Sequence, residues 1–254
     1  METAVLNTSI HAQNAVPSKS STHTQDSSLP AGFVYLSDVD SSIVQEIRYA
    51  GFHNFIGAPV KGYLSARCIL TKKAAISLKA VQDELKKSAM SLKVYDCYRP
   101  QQAVNHLLSW VKTPHENKMK AEFYPRTDKN TLLQEGYIAS KSAHSRGSTV
   151  DLTIVRVPII AQYPYTNDEV LRACTLPAEE RFKDNSLDFG TGFDCFDVLS
   201  HTEHHSMSAT QKASRHLLKT MMAKYHFKNY AREWWHYTLV NEPYPTKYFD
   251  FEIQ

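Results

Sequence analysis

No apolar run in this 254-residue chain approaches the length needed to cross a membrane. Charge of one sign is also missing. The 29 Lys and Arg stand against 26 Asp and Glu, a formal net charge of +3 with both signs mixed along the chain. That argues against a nucleic-acid binder, which carries a basic stripe. The four cysteines, Cys68, Cys97, Cys174 and Cys195, form no CxxC pair, which argues against a structural zinc finger. No internal repeat is present. Residues 1 to about 30 are rich in Ser, Thr, Gln and Asn and lack the apolar core of a secretory signal. They read as a disordered leader, and export and retention both stay open.

A hydrophobic content of 42% suits an ordinary buried core, and the length suits one large domain over residues 31–254. Gly32 to Leu36 reads as a strand, Ser42 to Tyr49 as a short helix or strand, and Gly51 to Gly62 as a loop. Thr71 to Lys87 predicts an amphipathic helix, with Ala75, Leu78, Val81 and Leu85 at helical spacing and Thr71 as its cap. Leu92 to Tyr98 alternates like a strand, and Gln101 to Val111 follows Pro100 as a second helix. Thr149 to Val155 is a strand in which Thr149 and Asp151 share one face and Val150, Leu152 and Ile154 the other. Asn167 to Thr202 is irregular. Ser208 to Tyr225 forms a third helix, burying Leu217, Leu218, Met221 and Met222, and Glu233 to Val240 forms a closing strand. Helices segregated from alternating strands predict a single α+β domain with a central antiparallel sheet flanked by helices.

Two segments carry the chemistry. One runs from Ser142 through His144 and Gly147 to Asp151, and the other is Glu233-Trp234-Trp235-His236. His144, Asp151 and His236 supply two imidazoles and a carboxylate. Three protein ligands plus an open position make a catalytic zinc site in which water becomes a nucleophile near neutral pH. Glu233 is then a spare carboxylate, fit to act as general base and acid. If residues 234–238 are extended, Glu233 and His236 point to opposite faces, so a twist or bulge near Glu233 is required. The paired tryptophans would wall the site and raise the Glu233 carboxyl. The same residue types also suit a surface histidine, a capping aspartate and a Trp-rich core strand.

Arg99 offers a fork of donors that would stabilise an oxyanion opposite a metal, or a structural salt bridge. Asp194, on the run Gly190-Thr191-Gly192-Phe193, suits a substrate ammonium or a turn. His201, His204 and His205 read as a solvated surface cluster. Cys174 and Cys195 flank a polar stretch that a disulfide can close, and two unlinked thiols suit the sequence equally. A bridge there implies an oxidising compartment such as a periplasm.

The pattern SxHxxGxxxD, followed far downstream by ExxH and preceded by YRP, resembles the zinc D-alanyl-D-alanine dipeptidases of the VanX-type group. That group is related to zinc DD-carboxypeptidases and hedgehog signalling domains. The segments 96–100, 136–142, 144–148, 233–237, 242–245 and 248–251 all carry the likeness, which spans about residue 33 to the C-terminus. The resemblance implies one Zn2+ per chain, held by His144, Asp151 and His236 in a cleft on the sheet. It implies that Glu233 moves the proton, that Arg99 stabilises the tetrahedral oxyanion, that Asp194 binds the free amino terminus and that Ser142 contacts the substrate. Thr149 departs from the broader family, which commonly has Ala there. The region from Cys174 to Cys195 resembles versions associated with the periplasm, with the cytoplasm as the alternative. The expected activity is hydrolysis of the small dipeptide D-Ala-D-Ala. A DD-carboxypeptidase acting on muropeptides and a non-catalytic cell-wall-binding module are the rivals.

Overall fold

The alternating run after Gly147 becomes the middle strand of a five-stranded sheet in the computed structural model, which describes Met1 and residues 29–254. The leader expected over residues 1–30 lies almost wholly outside the described residues. In chain order the elements are β1 (Phe33–Tyr35), α1 (Leu36–Val39), β2 (Val44–Gln45), β3 (Ile69–Thr71), α2 (Lys72–Lys86), β4 (Met90–Asp96), α3 (Gln101–Val111) and α4 (Lys120–Phe123). They continue with β5 (Thr149–Arg156), α5 (Ala209–Lys224), β6 (Phe227–Asn229) and β7 (His236–Leu239). The main sheet has the order β2-β4-β5-β7-β6, and β1 pairs with β3 in a second, two-stranded sheet. The α+β reading holds. The main sheet is antiparallel from β4 to β6, whereas the edge strand β2 runs parallel to β4. A parallel pair needs a long crossover, which β3 and α2 supply.

Local chemistry sets the helix boundaries. The Thr71 hydroxyl accepts from the Ala74 amide at the start of α2, and Ser208 and Gln211 close a reciprocal capping box on α5. Of the residues expected inside α5, Leu218 and Met222 are buried, while Leu217 and Met221 are half-buried. The run from Ser42 to Tyr49 splits into the two-residue β2 and a 3-10 turn, Arg48–Ala50. The expected closing strand is shorter: β7 starts at His236, and Glu233 precedes it in a turn.

Alternation along the central strands sorts the two faces of the sheet. Leu92 and Val94 of β4 lie opposite Ile154 and Leu152 of β5, and this apolar row joins Leu78, Val81 and Leu85 of α2 and Leu218 of α5 in one core. A fully buried leucine contributes roughly 1.5–3 kcal/mol, so this layer is a main source of stability. The other face carries Lys93, Tyr95 and Asp151 and is also buried. The long irregular segment before α5 covers it. The Lys93 ammonium reaches Asp184 at 2.5 Å and Asn185 at 2.7 Å, and Tyr95 stacks on Phe193 at 4.4 Å.

All four cysteines are paired, Cys174 with Cys195 (Cα–Cα 5.6 Å) and Cys68 with Cys97 (Cα–Cα 5.3 Å). The first bridge closes the polar stretch as its flanking positions allow. The second joins the residue before β3 to the residue after β4, elements that come together only in the fold.

Candidate active site

Asp151 pairs with Asp96 of β4 on one side and with His236 of β7 on the other, so three polar residues form a row across three strands. Directly opposed residues in an antiparallel ladder bring their side chains together on one face. A register shift between Val94 and Asp96 lets β4 place Asp96 in that row. His144 enters from the 3-10 turn Ala143–Arg146, whose first amide hydrogens are capped by Ser142: its hydroxyl accepts from the His144 amide. Gly147 ends the turn at φ +78°, where a Cβ would strike the Phe33 ring, so glycine is required there.

The geometry fits a metal ion. The ligand atoms of His144, Asp151 and His236 lie within 4.8 Å of one another, and they form a group of this kind among the described residues. His144 Nε2 and His236 Nδ1 stand 3.3 and 3.2 Å from Asp151 Oδ1. That oxygen is buried and accepts no well-aligned hydrogen bond, as expected of a ligand atom whose partner is a cation. The Nδ1 proton of His144 is donated to the Cys97 carbonyl (2.7 Å), which leaves Nε2 free to ligate. Burial opposes charge on His236, but the Asp151 and Glu233 carboxylates outweigh it and push the imidazole up to about 9. The site demands positive charge.

Glu233 reaches this centre through the turn. Its Oε2 stands 3.3 Å from His236 Nδ1. The Glu233 amide donates to the Tyr230 carbonyl (3.0 Å), and the Asn229 side-chain amide donates to the carbonyls of Glu233 (2.9 Å) and His236 (3.0 Å). This clamp supplies the twist that an extended Glu233–His236 segment lacks. The tryptophans do not wall the cavity. Both are buried in the core, where Trp234 stacks on Phe189 at 4.2 Å and Trp235 meets Phe193 edge-on at 5.5 Å. Both lie in the turn before β7, and Trp234 points inward to donate its Nε1–H to the Thr191 hydroxyl at 2.9 Å.

Arg99 lies against the same row. Its Nε and Nη2 donate to Asp96 Oδ2 at 2.9 and 2.8 Å, and Nη2 is 3.6 Å from Asp151 Oδ2. Buried among carboxylates, the guanidinium stays charged. Asp96 is itself fully buried and also accepts from the Tyr63 hydroxyl at 2.6 Å. Tyr49 lies under the Arg99 guanidinium (4.7 Å to the ring centre) and donates its hydroxyl to Asp194 Oδ2 at 2.8 Å. Burial pushes the Asp194 carboxyl well above the usual range, and the Asp151 charge adds to the effect. The sequence assigns no role to Tyr49, and to Asp96 none beyond its place at the head of segment 96–100. A carboxylate three residues before Arg99 hints at the salt bridge, and Tyr49 has no local signal.

One cavity of about 280 Å³ is lined by His144, Asp151, His236, Glu233, Arg99, Asp194, Ser142 and Tyr49, but not by Asp96 or Tyr63. Its apolar walls come from Phe55, Val104, Leu107, Tyr137, Ile138 and Phe196. The volume is below the usual range for ligand pockets, about 300–1,000 Å³, so the cavity suits a small molecule. Every site residue marked in the sequence lines it. His201, His204 and His205 do not join it, and His204 stacks on His205 at 4.7 Å near the surface. Thr149 causes no misfit, since its hydroxyl pairs with that of Thr238 (2.8 Å) across β5 and β7.

Comparison with known proteins agrees with this geometry. The model of the peptidase M15 family, described as D-ala-D-ala dipeptidase, matches residues 30–159 and 174–254. A D-alanyl-D-alanine dipeptidase of Streptomyces coelicolor is 35% identical over 87% of this chain and 98% of its own length. One from Enterococcus faecium is 33% identical over 88% of the chain and 98% of its own length. One from Escherichia coli is 29% identical over 76% of the chain and 77% of its own. The chain belongs to the D-ala-D-ala dipeptidase family of M15 metallopeptidases.

Proposed function

We propose that residues 31–254 form a zinc dipeptidase that hydrolyses D-Ala-D-Ala to two molecules of D-alanine. The observation that carries this reading is the meeting of His144, Asp151 and His236 beside Glu233 in one small cavity. His144, Asp151 and His236 would hold a single Zn2+ per chain, and the bound ion would supply Lewis-acid activation of water and of the peptide carbonyl. Glu233 takes the proton of the attacking water and delivers it to the nitrogen of the leaving amine. Arg99, held by Asp96, stabilises the oxyanion that develops on the carbonyl.

Both ends of the substrate have candidate partners. Asp194 is buried, and its carboxylate bonds to the Tyr49 hydroxyl and to no cation among the described residues. A substrate ammonium would supply the missing positive charge. Ser142, at the cap of the His144 turn, contacts the other part of the dipeptide. The small cavity and the demand for a free ammonium favour a dipeptide over a longer cell-wall peptide. No helix of the described residues is long and apolar enough to cross a membrane. Two disulfides favour an oxidising compartment, and we place the enzyme in a periplasm, acting in cell-wall metabolism.

The test is release of D-alanine from D-Ala-D-Ala beside an N-acetylated D-Ala-D-Ala control. Cleavage of the free dipeptide alone is the expected result. Equal cleavage of the acylated form would overturn the assignment of Asp194 and favour a carboxypeptidase.

A further inference from the structure

The bridge between Cys68 and Cys97 ends one hydrogen bond away from the metal ligands. We propose that this disulfide is a positioning element of the metal centre: it holds the Cys97 carbonyl against the Nδ1 proton of His144 and so keeps Nε2 turned to Asp151 and His236. This inference rests on the zinc reading above.

Cys97 is the first residue beyond β4, which ends at Asp96 just after its register shift. The strand ladder therefore no longer fixes the Cys97 carbonyl. Cys68, by contrast, is pinned on both sides: its amide donates to Gln45 Oε1 at 2.8 Å, and its carbonyl accepts from the Leu36 amide at 2.9 Å. The bridge passes that fixed position on to Cys97, and the Tyr98 amide, in the same peptide unit as the Cys97 carbonyl, donates to the Ile69 carbonyl at 2.9 Å, so bridge and hydrogen bond together orient that carbonyl. Both cysteines are 1% exposed, so the link is part of the packed interior.

His144 has two acceptors near Nδ1. The Cys97 carbonyl is at 2.7 Å and Asp96 Oδ2 at 3.4 Å. Asp96 is already engaged, with Oδ1 accepting from Tyr63 and Oδ2 from Arg99. If the Cys97 carbonyl withdraws, the proton swings towards Asp96 and the ring turns with it. Loss of such a supporting acceptor typically weakens metal affinity about 10–100-fold.

The consequence is a metal centre that depends on the oxidation state of a bond it does not contain. A trialkylphosphine with water reduces the bridge. The S–S bond breaks, the water oxygen ends on phosphorus as the phosphine oxide, and its two protons leave Cys68 and Cys97 as thiols. In a reducing compartment the same chain would hold its metal weakly. The other bridge is an internal comparison. Cys195 follows Asp194, which sits at φ +54°, and Cys174 carries the carbonyl that accepts from Gly192 at 2.9 Å. That bridge lies beside Asp194, and no hydrogen bond joins Cys174 or Cys195 to His144 or Cys97 among the described residues.

The experiment compares Cys68→Ala/Cys97→Ala with Cys174→Ala/Cys195→Ala in the full chain. Zinc affinity is measured by chelator competition without substrate, and the visible spectrum of the cobalt-substituted protein reports ligand geometry. Steady-state constants for D-Ala-D-Ala are taken at saturating zinc. The first pair is expected to weaken zinc about 10–100-fold and to alter the cobalt spectrum. The second should leave zinc affinity and spectrum unchanged and raise KM. Wild-type zinc affinity in the first pair, or equal weakening in both, would overturn the proposal. If the first pair does not fold, native wild-type protein is treated with the phosphine and its opened bridges are identified by alkylation. Zinc loss must then follow opening of Cys68–Cys97, and zinc retained after that opening would contradict the inference. A wild-type chain that binds no zinc would refute the function reading itself, before any variant is compared.

Discussion

Asp151 and His236 oppose each other in register on β5 and β7, and their nearest ligand atoms stand 3.2 Å apart. Two of the three candidate ligands are therefore placed by a backbone ladder rather than by a loop. Sites built on rigid elements hold their geometry better than sites on loops. The third ligand, His144, comes from a capped turn locked by Gly147. The division between metal ligands and proton carrier gives a clean test. His236→Ala should lose both zinc and turnover. Glu233→Gln should keep zinc and lose about 10²–10⁴-fold in kcat, the usual contribution of a general base. Metal analysis of each purified variant beside its rate checks this, and near wild-type turnover by Glu233→Gln would remove Glu233 from the mechanism.

Asp194→Asn keeps the shape of the side chain and removes its charge. A hydrogen bond to a charged group contributes about 1.5–3 kcal/mol. The variant should raise KM for D-Ala-D-Ala by about 10–100-fold with a smaller effect on kcat. An unchanged KM would mean that the substrate ammonium binds elsewhere.

Gly147→Ala places a Cβ against Phe33 at a left-handed backbone position. Left-handed strain of about 1–2 kcal/mol and overpacking of about 1–3 kcal/mol act together, so the variant should lose about 2–5 kcal/mol of stability. Denaturant titration measures it. Because the turn carries His144, zinc affinity should fall as well, and a variant as stable as the wild type would show that the turn relaxes freely.

A buried pair away from the cavity sets a pH dependence. Arg48 donates to His53 Nδ1 at 2.7 Å, so the imidazole is neutral and donates its Nε2 proton to Glu122 at 2.7 Å. Burial and Arg48 push His53 down to about 2, while burial pushes Glu122 up to about 7 despite Arg48. Below pH 6.5 the unfolded chain binds a proton at His53 that the fold rejects, so stability falls by about 1.4 kcal/mol per pH unit. The fold takes a proton at Glu122 below pH 7 that the unfolded chain takes only near 4.5, so stability rises by a similar slope across that window. The two effects offset each other between about pH 6.5 and 4.5. Glu122→Gln removes the compensating one. Its unfolding free energy, relative to wild type, should decline through that window, and parallel pH curves for the two proteins would contradict the pairing.

The parts of this molecule written in local pattern were readable from the chain. The helix Gln101–Val111 has the limits that its apolar spacing and Pro100 suggest. His144, Asp151 and His236 meet, and Glu233, Arg99, Asp194 and Ser142 line the same cavity. What was hidden depends on approach between distant segments. The clamp of Asn229 on the Glu233 turn is a side-chain contact with no periodicity. The direction of the two tryptophans follows from that turn. Tyr49 reaches Asp194 across 145 residues, and Cys68 meets Cys97 only because β3 and β4 lead to one end of the fold.

The most direct measurement is D-alanine release from D-Ala-D-Ala by the purified chain as isolated, after chelation, and after one equivalent of zinc is restored. The account predicts turnover, its loss and its recovery at one zinc per chain. Turnover that persists in fully metal-depleted protein would contradict a metal held by His144, Asp151 and His236 as the basis of the chemistry.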